Sequence, residues 1–259
     1  MERRNVKLKL SLTETMKAED ETLDTFYLGR IFLLQKRDGY RFSVDAPLLA
    51  DFIKTKTTDE LLELGTGNGV ISLLLSLKPF KKITAIEIQE ALANLAKRNV
   101  ILNKLEDKIN VVQLDLRQFH SKKKFDVIFS NPPYIKKKRG QLSPLLEKSI
   151  AKHELKCDIF EVMKKTAELL RKRGKAYFIF PASREDDFRA AVRTHNLRIK
   201  SWRYIFNYQR QKPILFLAEC NFRAKRITIL PPLILYDKEG NYTQEARAIF
   251  SGRKNVTVA

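Results

Sequence analysis

Cysteine is nearly absent: Cys157 and Cys220 are the two in 259 residues. They stand far apart, with no C-x-x-C pair and no Cys/His cluster. That spacing excludes the usual zinc and dithiol redox sites, so both are expected as reduced, buried thiols and no metal is expected. Long apolar runs are missing too. The longest, around residues 70–77, falls far short of the roughly 20 residues that a bilayer-spanning helix needs. The opening MERRNVK lacks the uninterrupted apolar stretch of a secretory signal. A cytoplasmic protein without membrane contact is the expectation. Internal repeats and low-complexity linkers are also lacking, and 44% hydrophobic composition suits one large α/β domain with appendages.

Acidic residues are outnumbered, 30 against 50 Lys and Arg, which leaves a net charge of +20. Such an excess is extreme for an enzyme of neutral small molecules and points to a polyanionic partner. A lysine-rich, merely solubilising surface is the competing explanation. The distribution favours the partner, because the cations cluster: Lys136, Lys137, Lys138 and Arg139; Arg171, Lys172 and Arg173; Arg203 with Arg210 and Lys212; Arg223 with Lys225 and Arg226. The last two groups interleave with Trp202, Tyr204, Phe206, Tyr208 and Phe222. Cations suit phosphates and aromatics suit unstacked bases, although strand aromatics are more often core, so one or two of these are expected to touch nucleic acid.

The chemistry is most legible at Asn131, Pro132, Pro133 and Tyr134, directly after the apolar run 125–130. Asn131 offers a side-chain carbonyl, and Pro132 has a backbone carbonyl with no N–H, so both can accept hydrogen bonds from one planar amino group. Tyr134 supplies a face for stacking. An amine conjugated to a base or a carbonyl is a poor nucleophile, and acceptors on both N–H bonds pull its lone pair out of conjugation. Methyl transfer to nitrogen is the chemistry that such an arrangement suggests. A strand closed by a Pro-Pro turn is the alternative for the tetrad taken alone.

Upstream, residues 59–64 read as a short buried strand running into Gly65, Thr66, Gly67, Asn68 and Gly69, with a helix from Val70. Glycine there lets the backbone turn sharply or approach a ligand. The spacing is G-x-G-x-G with Glu63 two residues ahead, not the G-x-G-x-x-G of nicotinamide enzymes. A second strand, 82–87, ends in Glu87, where a ribose-binding carboxylate should stand. A third, 109–114, is followed by Asp115, which suits either an adenine amine or the cap of the next turn. Their neighbours Ile88 and Leu116 are grouped with them as cofactor contacts.

This series of motifs resembles the S-adenosylmethionine-dependent methyltransferases of the Rossmann-like class. The resemblance implies a class I α/β fold: a seven-stranded, mostly parallel sheet with a terminal β-hairpin, here preceded by a short hairpin extension. It implies S-adenosylmethionine as cofactor, held by Glu63, the 65–69 loop, Glu87 and Asp115. Three further stretches, 39–52, 151–154 and 232–245, are similar to the bacterial enzymes that methylate N6 of an adenine beside the anticodon of a valine tRNA. From the first of these, Phe42 and Asp45 are expected to close over the cofactor; His153 and Glu154 suit loop stabilisation as well as catalysis, and the last has no chemical role assigned. A tRNA partner follows. Glutamine methylation in release factors is the main rival, but those enzymes carry a large helical domain ahead of the glycine loop, which here begins at residue 65. DNA adenine methylation, and a non-catalytic RNA binder, remain the other readings.

Residues 1–57 are expected as an extension, 58–222 as the methyltransferase domain and 223–259 as a tail. In the extension, strands at 29–35 and 40–43 should pair across a turn at Asp38 and Gly39, before a short helix capped by Ser43 or Asp45 with Pro47 in its first turn. Helices are expected over 90–103, 158–171 (stopped by Gly174) and 184–195, and strands over 175–180, 198–206 and 213–220.

Overall fold

Near-continuous apolar runs mark strands buried on both faces, and they supply the centre of the sheet. A computed structural model describes residues 17–38, 44–132 and 158–252. Strands β3 (Glu60–Leu64), β4 (Lys82–Glu87), β5 (Ile109–Gln113), β6 (Phe125–Ser130) and β7 (Leu170–Pro181) run parallel in the order β5-β4-β3-β6-β7. The chain steps outward from β3 to β5 and then returns to β6 on the other side of β3. That reversal opens a crevice at the carboxyl ends of β3 and β6, where ligands of such sheets bind. Strand β9 (Leu215–Asn221) is antiparallel to both β7 and β8 (Arg198–Phe206), which forms the expected closing hairpin.

Alternation along each strand divides the core in two. Leu61, Ile83, Val127 and Phe129 face one layer with helices α1 (Asp45–Phe52), α2 (Val70–Leu75) and α3 (Glu90–Leu102). Leu62, Leu64, Ile128 and Phe178 face the other with α4 (Ile159–Leu169) and α5 (Glu185–Thr194). Trp202 lies wholly inside this second layer, stacked on Phe216 with ring centroids 3.9 Å apart.

Several elements depart from the expectation. The strand at 31–36 pairs backward: β2 (Ile31–Lys36) meets β1 (Glu21–Phe26) in antiparallel register, Phe26 opposite Ile31. The turn between them places Tyr27, Leu28 and Gly29 at positive φ, and residues 39–43 lie outside those described. The acids and threonines of β1 hid it from the apolar pattern. Helix α1 is preceded by Val44 with no side-chain cap, and Asp45 is its first residue. Helix α4 does stop short of Arg171, but not at Gly174. Leu170 has already joined β7 opposite Phe125, and a bulge follows before Lys175 pairs with Val127. Gly174 sits inside that bulge, where a Cβ would lie 2.7 Å from Leu170 and 3.0 Å from the Asp126 carbonyl; a close approach, not a helix end, requires glycine there.

The hairpin is fastened to α3 by a side-chain ladder that the sequence pattern did not reveal. Asn99 accepts from the Leu34 N–H at 2.7 Å and donates to the Leu34 carbonyl at 3.0 Å, and Asn103 treats Phe32 likewise at 2.9 and 2.6 Å. Four helical residues rise about 6 Å and two strand residues about 6.6 Å, so asparagines at i and i+4 match alternate strand residues and stand in for a neighbouring strand. Arg98 adds a two-pronged ion pair to the buried Glu21, at 2.8 and 2.7 Å, which holds that carboxyl down to about 2.

Beyond residue 222 the chain keeps to the same sheet. Strands β10 (Thr228–Ile229) and β11 (Leu233–Ile234) both pair in parallel with the outer edge of β8, adding two short strands to the seven expected. Helix α6 (Gln244–Ser251), capped by Thr243, then packs against α1. The 232–245 stretch thereby gains a structural account.

Candidate active site

The glycine loop is wound tightly over the end of β4. The amides of Gly65 and Thr66 both donate to the Ile86 carbonyl at 2.9 Å, and Gly69 N–H donates to Thr66 O at 3.0 Å. Gly65, Gly67 and Gly69 have φ of 76°, 58° and 87°, a region costly for any residue with a Cβ. Nothing lies within 4 Å of where a Cβ on Gly65 would be, so the backbone there is open to a ligand. Glu87, buried at the end of β4, accepts from Gly67 N–H with one oxygen and from Gln89 N–H with the other, both at 2.9 Å. Ile88 follows it half-buried.

Glu63 lies wholly beneath this loop. One carboxyl oxygen accepts from the Thr66 hydroxyl at 2.6 Å and from the Ser72 hydroxyl. Its second oxygen, and the side-chain oxygen of the equally buried Asn68, have no hydrogen-bond partner. Burial pushes the Glu63 carboxyl up to about 8, so it is largely protonated at neutral pH. Asn68 is fixed from two sides: its amide donates to Gln35 of β2 at 3.3 Å, and its backbone carbonyl accepts from Asn99 at 2.9 Å. Gln35, Asn99, Ser72 and Ser130 are supporting residues that the motif pattern did not single out; the signals available were an amide at the end of an apolar strand and asparagines spaced i, i+4.

Asn131 is brought to the same place by strand register. Phe129 is opposite Glu63, and the buried Ser130 hydroxyl donates to the Leu64 carbonyl at 2.7 Å. The end of β6 is thereby tied to the residue before Gly65, leaving Asn131 half-buried and Pro132 buried beside the glycine loop. Asp45 is buried in the first turn of α1, which packs on α2. Asp115 caps the following turn by accepting from Arg117 N–H at 2.9 Å and pairs with the Arg117 guanidinium; Leu116 beside it is buried. Pro133, Tyr134, Phe42, Ser43, Cys157, His153, Glu154 and residues 136–139 lie outside those described.

The cations divide. Arg203, expected among the RNA contacts, is half-buried: it donates to the Pro231 carbonyl at 2.9 Å and pairs with Glu245 of α6 at 2.6 Å. Arg210 and Lys212 are exposed in the loop after β8, at the carboxyl-end edge of the sheet. Tyr208 in that loop is also exposed, its ring 5.5 Å from that of Tyr236. Cys220 is buried, which raises its thiol pKa well above the ordinary value. Among the described residues no group of three His, Cys, Asp or Glu is placed to hold a metal, and no helix is long and apolar enough to cross a membrane.

A tRNA1(Val) (adenine(37)-N6)-methyltransferase from Bacteroides thetaiotaomicron is 34% identical over 160 residues, which cover 61% of this chain and 66%, a little under two thirds, of that protein. The protein of the same name from Dyadobacter fermentans is 26% identical over 218 residues, covering 83% of this chain and 90% of its own. A crystal structure from Agrobacterium tumefaciens, described as a predicted O-methyltransferase, superposes with a TM-score of 0.61 at 19% identity, over 81% of this chain and 96% of that one. The fold is thus that of the class I methyltransferases. Residues 41–180, more than half of the sequence, match the methyltransferase small domain family, and the chain belongs to that family.

Proposed function

We propose that this protein transfers a methyl group from S-adenosylmethionine to the N6 amine of an adenine in tRNA. The observation that carries the reading is the union of two strand ends: Ser130 ties β6 to β3, so that Asn131 and Pro132 adjoin the glycine loop. The residues present fit the cofactor. The open face of Gly65, the Glu87 carboxylate presented at the loop and the unpartnered oxygens of Glu63 and Asn68 form a polar cradle. Gly65, Thr66, Gly67, Asn68 and Gly69 would hold it, with Glu87 and Ile88 on the ribose side, Asp115 and Leu116 on the adenine side, and Phe42 and Asp45 above.

When bound, S-adenosylmethionine supplies an activated methyl group on a sulfonium. The protein's own part is orientation. The Asn131 side-chain carbonyl and the Pro132 backbone carbonyl accept the two N–H bonds of the target amine, turning its lone pair toward the cofactor side, and Tyr134 stacks on the base. Preorganised acceptors of this kind act without reorganisation at the moment of reaction. No covalent enzyme nucleophile is required.

Three things favour tRNA as substrate: the names of the two relatives, the net charge of +20, and Arg210 and Lys212 exposed at the edge where Asn131 stands. The Lys136, Lys137, Lys138 and Arg139 run, next to the tetrad in sequence, is assigned to the same RNA. The test is transfer of labelled methyl into unmodified total tRNA and, separately, into purified release factor, followed by digestion and nucleoside mass spectrometry. N6-methyladenosine from tRNA is the expected product. Label in the release factor, or in neither acceptor, overturns the assignment.

A further inference from the structure

Two of the basic clusters in the sequence stand far apart in the chain, one at 171–173 within β7 and one at 223–226 in the segment that follows β9. The sheet unites them. Ala176 pairs with Cys220, so the beginning of β7 and the end of β9 lie side by side. Between them opens a cleft of about 650 Å³ lined by Lys124, Lys172, Arg173 and Arg223 around an apolar floor that includes Leu170 and Phe222. A second cleft of about 390 Å³ shares Arg173 and continues past Lys54, Lys56 and Lys175. Both lie on the amino-terminal edge of the parallel strands, opposite the glycine loop.

The charges in the first cleft are largely unneutralised. Arg171 is an internal partner, 2.6 Å from Asp126 and 3.8 Å from Glu60. Lys172, Arg173 and Arg223 are exposed and form no ion pair among the described residues. Bringing such like charges together is unfavourable by itself, and a polyanion relieves it. A half-buried Phe222 among cations combines a phosphate-binding rim with a flat apolar surface, the combination that RNA backbones and unpaired bases fill.

We infer that this amino-terminal edge binds the phosphodiester backbone of the RNA substrate at a point remote from the methylated nucleotide. The inference rests on RNA being the substrate. The six residues of β6, at about 3.3 Å each, set the two edges roughly 20 Å apart. The back edge therefore grips a different part of the RNA and contributes to binding without touching the reacting amine. Loss of such a contact raises KM and leaves kcat alone.

The test compares wild type with the double variant Arg173→Gln/Arg223→Gln and with a control of equal charge, Lys97→Gln/Lys104→Gln. Binding of full-length unmodified tRNA is read by fluorescence anisotropy across a salt series, alongside S-adenosylmethionine affinity and steady-state kinetics. For the cleft variant, tRNA affinity should fall about tenfold near physiological salt and the log–log salt slope should shrink by about 1.5. Cofactor affinity and kcat should hold, and the control should resemble wild type. An affinity and slope equal to wild type, or a change no larger than the control's, overturns the inference. If wild type binds tRNA without methylating it, the substrate assignment fails while the binding comparison still decides the cleft. If wild type does not bind tRNA at all, both fall.

Discussion

At the scale of single residues, the proposed site separates groups assigned to the reaction from groups that shape the loop. Asn131 is assigned to the first class. Asn131→Ala removes one acceptor, and its kcat should fall on the order of a hundredfold or more with cofactor affinity unchanged by calorimetry. Simultaneous loss of cofactor binding would indicate a folding defect and count against the acceptor role. Glu63 is in the second class. Its carboxyl is raised from an ordinary 4.5 to about 8 by burial. Between those values the folded protein holds a proton that the unfolded chain has released, so stability falls as pH rises from about 4.5 to about 8 and then levels. Glu63→Gln keeps an acceptor for Thr66 and Ser72 without the titration. Its melting temperature should exceed that of wild type at pH 9 and match it more closely at pH 5. Equal pH profiles for the two proteins would mean that Glu63 does not carry this linkage.

At the scale of elements, the decisive feature is how the hairpin reaches the glycine loop. Asn99 serves three partners, Leu34 N, Leu34 O and Asn68 O, whereas Asn103 serves Phe32 and a carbonyl of its own helix. Both Asn99→Leu and Asn103→Leu leave strand polar groups without their partners and should cost about 3 kcal/mol in denaturant unfolding. Asn99→Leu alone should also weaken S-adenosylmethionine binding, because it frees the Asn68 carbonyl. Equal cofactor affinities in the two variants would show that the hairpin only braces α3. The strands and helices of the sheet were legible because their apolar periodicity is strong. The hairpin partner was not, since β1 is half-exposed and β2 is buried on both faces, which erases the alternation that marks register.

At the scale of the whole molecule, residues 223–252 complete the sheet. Strands β10 and β11 cover the outer edge of β8, and Glu245 of α6 secures Arg203. Truncation after residue 222 uncovers that edge, whose unpaired backbone groups template association. The shortened protein should elute as aggregate in size-exclusion chromatography. A truncated monomer that still binds cofactor would assign this segment a role outside folding.

The sequence by itself determined the reaction class and the fold. Glycine spacing, strand-end acids and the Asn-Pro-Pro-Tyr tetrad are local patterns whose chemistry depends on residue type and near neighbours. Only the tertiary structure decided which polar groups are buried, which are paired and which are left exposed. Burial raised the Glu63 carboxyl, Glu245 came to pair with Arg203, and strand register gathered distant cations on the back edge. Each of these depends on contacts between segments far apart in the chain, and periodicity along one segment does not encode them.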